Sequence, residues 1–366
     1  MTIADIISSF ENFAPTIYQE SYDNSGLLTG NLSWICTGTI CTLDVTEAVV
    51  MEAKEKKCNL IIAHHPIIFS GLKKITGKTY VEQTTIAAIK NDIAIYAVHT
   101  NLDNVINGVN QKIAEKIGLI NSKILAPKSQ LLCKIFVFVP RQNVNEVREA
   151  IFNAGAGEIA NYSECSFNTE GKGTFKGNSS SNPKIGKPNI REVVEEIKIE
   201  AILPIYLQNK VVEQVKLAHP YEEVAYDIVP LNNVNQQIGS GLVGELEHEV
   251  SEIEFLQKLK QAFNLKVIKH TKFLGKAIKT VALCGGSGSF LIKNAIAVKA
   301  DIYITSDIKY HEFFDAEEKI VLADIGHWES EQFTIDLLVE ILRAKSPTFA
   351  VLKSSINTNP VRYFTH

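Results

Sequence analysis

The first third of the chain alternates short apolar runs with stretches in which apolar residues recur every three or four positions. The recurring stretches predict amphipathic helices, one beginning at Thr46 as its N-cap residue and another ending at Gly118. The runs between them are mainly apolar, which is typical of strands in a parallel sheet that helices cover on both faces. Three such strands are predicted, at TGTICTLDV, NLIIA and IAIYAV.

The same alternation returns near the end of the sequence. Strands are predicted at TVALCGGSGS, DIYIT and IVLADIG, and helices at FLIKNAIAVKA, KYHEFFDAEEK and ESEQFTIDLLVEILRAK. Two stretches with one pattern predict an α/β fold in which two similar α/β lobes form one core with mainly parallel sheets.

The middle of the chain has a different pattern, with the polar, glycine-rich segment NTEGKGTFKGNSSSNPKIG at its centre. A strand, a helix, a hairpin-like segment, a strand, a helix and a last strand predict a small α+β domain of the split βαβ kind. Insertion at a surface loop is readily tolerated. We therefore expect residues 1–127 to form the first part of the core, residues 128–234 an inserted domain, and residues 235–366 the second part of the core.

The composition limits the classes of function. The chain has 366 residues, 45% of them apolar, and 37 basic against 41 acidic residues give a net charge of −4. This balance argues against nucleic acid as a partner and against attraction to an anionic membrane. No apolar run is long enough to cross a bilayer, and the first residues are typical of an ordinary helix rather than a signal peptide. We expect a cytoplasmic protein whose six scattered cysteines are buried thiols.

Histidines and carboxylates follow three of the predicted strands, at the point where each strand ends. Ligands gather beyond the carboxyl ends of the strands in sheets of this kind. One such junction is weak evidence, because a single histidine at a strand end is usually structural. Three junctions together predict a metal site. The residues are His64 and His65 in the first junction, His99 and Asp103 in the second, and His327 and Glu331 in the third.

The adjacent His64 and His65 indicate two ions rather than one. Successive side chains of a strand point to opposite faces, so the two imidazoles do not easily serve one ion. A catalytic zinc keeps only three protein ligands, whereas the five candidates fit two metals about 3.5–4 Å apart. These candidate ligands are His64, His65, Asp103, His327 and Glu331.

The ligand types indicate which metals would bind and which residue would be shared. Imidazoles with carboxylates suit two divalent transition-metal ions per chain, zinc first and iron or manganese as alternatives. His327 and Glu331 are four positions apart and would share one face of a helix start, where the helix dipole favours an ionised carboxylate. We expect Glu331 to bridge the ions, with His64 and Asp103 on one ion and His65 and His327 on the other.

Further residues near these junctions have two interpretations. The glycine-rich residues 284–289 follow a strand, so their amides could bind an anion, although a tight turn alone would explain them. Asp307, Lys309 and His311 follow another strand and could support the metal ligands or donate protons. We expect His99 or His311 to act as the catalytic proton carrier.

Seven motifs in order resemble those of the NGG-one-interacting-factor-three-like proteins, often labelled GTP cyclohydrolase 1 type 2 homologues. They are SYDNSGLL, TLDVT, IIAHHPIIF, VHTNLDN, TSDIKYHEFFDA, IGHWESE and TNPVRYF. The resemblance implies a dinuclear metal site at the five candidate ligands. It also implies a ring-shaped homo-oligomer, often a hexamer. The middle section is similar to the extra domain of long bacterial members, which implies a ferredoxin-like, PII-like insert. Ser306 stands where many members have glycine.

Two functions from different classes remain open. A metal-dependent hydrolase would act on a small molecule, either a nucleotide-like compound, as the GTP cyclohydrolase label implies, or a phosphoester. A non-catalytic metal-binding regulator or metal chaperone would use its insert to bind partners or effectors. An open coordination position beside a polar pocket would favour the hydrolase.

Overall fold

The computed structural model describes residues 1–364 as a mixed α/β protein with several sheets. In chain order the strands are β1 (Gly26–Thr29), β2 (Thr39–Thr42), β3 (Leu60–Ala63), β4 (Ala94–Ala97), β5 (Leu119–Lys128), β6 (Leu132–Pro140), β7 (Phe167–Lys176), β8 (Arg191–Pro204), β9 (Tyr226–Leu231), β10 (Asn235–Ser251), β11 (Lys269–His270), β12 (Ala277–Ser287), β13 (Ile302–Ser306), β14 (Val321–Asp324) and β15 (Val351–Lys353).

The helices lie between these strands. They are α1 (Ile3–Phe13), α2 (Glu47–Glu55), α3 (Tyr80–Lys90), α4 (Thr100–Asp103), α5 (Val109–Ile117), α6 (Val144–Asn153), α7 (Gln208–Ala218), α8 (Glu252–Ala262), α9 (Ile292–Ala297), α10 (His327–Glu331) and α11 (Thr334–Lys345). Within residues 1–364, every helix is too short or too polar to span a bilayer.

The chain divides into two compact units. One combines Met1–Pro127 with the residues from Gln236 onward, and the other is Lys128–Asn235. The first unit contains a five-stranded sheet in the order β1-β4-β3-β2-β15 and a six-stranded sheet in the order β11-β14-β13-β12-β10-β5. Each sheet therefore takes one strand from the other flanking segment, because β15 joins the first sheet and β5 joins the second.

The expectation of mainly parallel sheets is wrong, because the sheets are mixed. In the first sheet β2, β3, β4 and β15 pair in parallel, but β1 pairs with β4 in the antiparallel direction. In the second, β12, β13 and β14 are parallel, whereas β11 and β10 are antiparallel to their neighbours β14 and β12. The predicted central strands β2, β3, β4 and β14 are buried at every position, as their apolar sequences require.

The second unit has its own sheet and core. The elements β6, α6, β7, β8, α7 and β9 form a four-stranded sheet in the order β7-β8-β6-β9, with every pairing antiparallel. Alternate residues of β6 and β8 are buried, which leaves one face of each strand toward the helices α6 and α7.

The helix ends predicted at Thr46 and Gly118 agree with the structure, whereas two predicted helices differ from it in type or length. The Thr46 hydroxyl accepts a hydrogen bond from the Val49 amide at the start of α2, and Gly118 ends α5 in the left-handed conformation. The predicted helix KYHEFFDAEEK is instead a short 3₁₀ helix, Tyr310–Ala316. The predicted long last helix is divided into α10 and α11, so the turn that carries His327 is a separate short element.

Candidate metal centre

The three predicted junctions meet, although they belong to two sheets rather than one. β3 and β4 are neighbours in the first sheet and lead into His64–His65 and into His99 with α4. β14 lies in the second sheet and leads through Gly326 into α10. The two groups come together where His65 Nε2 lies 2.9 Å from Glu331 Oε2, across 266 positions of sequence.

Each of the four histidines is held through its Nδ1 atom. A ring whose Nδ1–H donates to an oxygen has its Nε2 lone pair free for a metal, which is the usual arrangement of metal-binding histidines. The Nδ1 contacts are His64 to the Val98 carbonyl at 2.8 Å, His65 to Asp44 at 2.8 Å, His99 to Asp23 at 2.8 Å and His327 to Asp307 at 2.6 Å. Hydrogen bonds within the protein thus fix the orientation of all four imidazole rings.

Three of the Nε2 atoms converge on the carboxylate of Glu331, which is only 3% exposed. Its Oε1 atom lies 3.8 Å from His64 Nε2. Its Oε2 atom lies 2.9 Å from His65 Nε2 and 3.2 Å from His327 Nε2. The two oxygens therefore face different histidines.

Two buried atoms of this cluster have no hydrogen-bond partner. They are His64 Nε2 and Asp103 Oδ1, which lie 3.6 Å apart. Burial of a polar atom without a partner is costly, so two such atoms side by side need an explanation. A cation would satisfy an imidazole lone pair and a carboxylate together, so the residues present fit a metal. Two overlapping groups have ligand atoms within 4.8 Å of one another, namely His64, His65 and His99, and His65, His327 and Glu331.

The pKa values in the metal-free protein follow from this crowding. Burial would lower the pKa of His65 and of His327, but Glu331 and the carboxylates on their Nδ1 atoms raise it to about 9 and about 11. Burial would raise the pKa of Glu331, yet the two imidazoles hold it well below its usual range. Burial and then Glu331 raise the pKa of Asp103 to about 7. Without metal, protons on His65 and His327 therefore supply the positive charge that the Glu331 carboxylate favours.

The glycine-rich residues 284–289 have a packing role, which agrees with the tight-turn interpretation. β12 continues as far as Ser287, and the amides of Gly285 and Gly286 already donate to the side chains of Asn110 and Ser330. Gly286 has φ +61°, and a Cβ there would lie 2.3 Å from Glu331 Oε1. The absence of a side chain lets the Glu331 carboxylate reach the histidines.

The two predicted proton carriers lie in different surroundings. The ring of His99 lies 5.3 Å from that of His64 and 5.5 Å from that of His65. His311 is exposed and contacts Tyr310 and Phe314 of its own 3₁₀ helix. The structure therefore brings His99 into the cluster and does not bring His311 there.

Sequence reasoning missed two carboxylates of the centre. Asp44 follows β2, so the rule that identifies the other junctions also applies to it, but the sequence pattern extends the predicted strand through TLDV. Asp23 precedes β1 and follows no strand, so no local signal marks it. Asp307, by contrast, is where a supporting residue was predicted, on the Nδ1 atom of His327.

A cavity of about 620 Å³ opens beside the cluster. His65, His99 and His327 form one part of its wall. The rest of the wall combines apolar and aromatic side chains with charged and polar ones. Phe69, Trp328 and Tyr363 are among the first kind, and Asp307 and Glu329 among the second. The volume is within the range of about 300–1,000 Å³ that is typical of small-molecule sites.

The fold and this cluster define a class: a mixed α/β protein with a histidine and carboxylate site that could bind metal. Comparison with known proteins gives the family. Residues 1–360 match the family described as Duf34/NIF3 (NGG1p interacting factor 3), so the chain belongs to that family.

Relatives match over the whole length of the chain. A Halalkalibacterium halodurans protein named GTP cyclohydrolase 1 type 2 homolog is 39% identical over 363 residues, covering 98% of both chains. The crystal structure of a Bacillus cereus protein related to NIF3 is 38% identical with a TM-score of 0.88, covering 100% of this chain and 99% of the other. A Staphylococcus aureus structure is 30% identical with a TM-score of 0.79 and the same coverage.

Proposed function

We propose that this protein is a metal-dependent hydrolase with a dinuclear centre at His64, His65, Asp103, His327 and Glu331. The observation that carries the proposal is the buried, unpartnered pair of His64 Nε2 and Asp103 Oδ1, of which His64 Nε2 faces one oxygen of Glu331. The other oxygen faces His65 and His327. This division supports Glu331 as the shared ligand, and the donor set suits zinc, iron or manganese.

The side chains of the centre have separate roles in the proposed reaction. A bound divalent transition ion would supply a Lewis acid and lower the pKa of a coordinated water. Asp44 and Asp307 keep His65 and His327 in the tautomer that presents Nε2. His99, whose Nδ1 is held by Asp23, is placed to accept or return a proton at Nε2.

The cavity wall favours a planar ring as the part of the substrate that lies beside the centre. Phe69, Trp328 and Tyr363 offer aromatic surface. Lys269 is the one lysine or arginine on this wall within residues 1–364, and it lies 2.5 Å from Asp324. These side chains therefore offer little free positive charge of their own beside the aromatic surface. The name of the Halalkalibacterium relative, GTP cyclohydrolase 1 type 2 homolog, also supports ring hydrolysis of a nucleotide-like substrate over cleavage of a phosphoester.

The test combines metal content with turnover. Protein purified without added metal and then reloaded should approach two transition ions per chain by elemental analysis. The loaded protein is then assayed for ring opening of purine nucleotides and for phosphoester cleavage. Activity should be lost in Glu331→Gln and kept in Glu340→Gln, which alters an exposed carboxylate on α11 outside the cavity wall. A metal content near zero after reloading would refute the centre.

The same experiment separates the two classes of function. Two bound ions with no turnover on any substrate of the panel would instead favour a metal-binding regulator or metal chaperone. Turnover that persists in Glu331→Gln would indicate a contaminating enzyme.

We also propose that the second unit is a PII-like domain and that the protein is a homohexamer. The strand, helix, strand, strand, helix, strand order of residues 132–231 and its antiparallel sheet support the first of these. Light scattering on the purified protein tests the second, and a mass far below six chains would refute it.

A further inference from the structure

The segment after β15, residues 354–363, has no regular secondary structure but is fixed by hydrogen bonds. We name it the C-terminal strap. Ser354 and Ser355 donate to the buried Glu52 on α2. Thr358 Oγ1 donates to Asp44 Oδ2 at 2.6 Å, just beyond β2. The strap therefore runs past the end of a strand of the first sheet at a residue that holds a candidate ligand.

The strap also contacts the second sheet's side of the centre. The buried Asn359 donates from Nδ2 to Glu329 Oε1 at 3.1 Å, and Glu329 lies on α10 between His327 and Glu331. Tyr363 lies beside Glu329, because a Cβ at Gly326 would lie close both to the Tyr363 hydroxyl and to the Glu329 carboxylate. Residues 359, 360, 361 and 363 line the cavity itself. One segment thus bonds to Asp44, which holds His65, and to Glu329, which lies between His327 and Glu331.

We propose that Thr358 is a positioning residue of the metal centre, acting on His65 through Asp44; this rests on the proposed metal-binding function. Asp44 uses its two oxygens separately: Oδ2 accepts from Thr358, and Oδ1 accepts from His65 Nδ1 at 2.8 Å. Without the Thr358 hydroxyl, the Asp44 carboxylate can rotate about its Cβ–Cγ bond, and the His65 ring is no longer held in one orientation. Partners of this kind support metal ligands in many proteins.

The geometry limits the effect to one half of the centre. His65 Nε2 faces Glu331 Oε2, the oxygen that His327 shares. His64 is held by the Val98 carbonyl, which makes no use of the strap. Loss of the Thr358 hydroxyl should therefore weaken the ion bound by His65 and His327 and leave the ion bound by His64 and Asp103 nearly unchanged.

The test compares three substitutions in the full-length protein, with zinc alone as the probe in competition with a chelator. Thr358→Val keeps the shape but removes the donor, and it should weaken one of two zinc ions by about tenfold or more, the usual cost of losing such a partner. Thr358→Ser restores a donor and should recover the affinity. Ser355→Ala is the matched control, since it removes a similar bond to Glu52 at 2.6 Å in the same strap.

A second measurement does not depend on zinc. The proton on His65 Nδ1 in the metal-free protein should show a protected NMR resonance, which Thr358→Val should broaden by faster exchange and Ser355→Ala should not. If the wild type binds no zinc, the proposed metal centre fails while this resonance still judges the strap. An unchanged resonance in Thr358→Val refutes the positioning role, as does an equal loss of both ions with a lowered melting temperature of the metal-free protein.

Discussion

Replacing Glu331 by glutamine is the sharpest test of the centre, because the change keeps the shape and removes the charge. In the metal-free protein the carboxylate accepts a hydrogen bond from His65 at 2.9 Å, forms an ion pair with His327 at 3.2 Å and is 3% exposed. Removing one partner of a buried ion pair costs about 3–5 kcal/mol. The loss should lie at the lower end of this range, because both imidazoles can release their protons. We predict a loss of about 3 kcal/mol in the free energy of unfolding without metal.

The effect on metal binding should be larger and should reach both ions. Two cations about 3.5–4 Å apart repel each other, and a shared anion offsets that repulsion. A neutral amide coordinates weakly through one oxygen. We therefore expect both zinc affinities to fall, the weaker one by about 100-fold or more, which corresponds to about 2.7 kcal/mol.

Chelator competition monitors the metal, and urea unfolding of metal-free protein monitors the fold. Glu329→Gln is the control, since Glu329 lines the cavity on the same helix and bonds to Asn359 rather than to a histidine. The reasoning is wrong if Glu331→Gln keeps one ion at wild-type affinity. In that case Asp103 becomes the candidate for the shared ligand.

Without metal, pKa values of about 9 and about 11 leave His65 and His327 protonated at pH 7. Zinc binding should therefore release about two protons per chain, and the zinc affinity should rise with pH. Calorimetry in buffers of different ionisation enthalpy would detect the released protons. His64→Ala should weaken one ion and spare the other, as resolved by the same competition titration. Burial opposes the shift, but Lys56 and two serines lower the pKa of Glu52 from 4.5 to about 2, so its stabilisation is complete above pH 4.5 and disappears as the pH falls to 2. Glu52→Gln should accordingly lose about 2 kcal/mol at pH 7 and almost nothing at pH 2, measured by urea unfolding. Replacing residues 128–235 with a short glycine and serine linker should leave a folded chain that binds zinc; an unfolded product would show that the unit boundary is wrong.

The neighbourhood of the candidate ligands could be predicted from sequence because each follows an apolar strand. That signal is local, and it holds for His64 and His65 after β3 and for His327 after β14. It failed for Asp23, whose partner His99 lies 76 positions later. No periodicity in the intervening residues specifies such a contact.

The same local signal does not predict whether neighbouring strands in a sheet are parallel or antiparallel. Apolar runs identify buried strands, but they do not say which neighbours a strand takes. The short edge strands β1 and β11 are partly or fully exposed and lack a long apolar run, and they make two of the antiparallel pairings that the sequence did not predict. The exchange of β5 and β15 between the two sheets likewise depends on long-range packing.

The separation of 266 positions between His65 and Glu331 has a consequence for synthesis. His64 and His65 leave the ribosome long before α10 exists, with the whole of Lys128–Asn235 made in between. A nascent or prematurely terminated chain therefore holds only part of the ligand set and gains little from an ion. A metal ion that binds only the native state would stabilise that state by mass action. The ion would therefore protect finished chains and leave incomplete chains exposed to proteolysis.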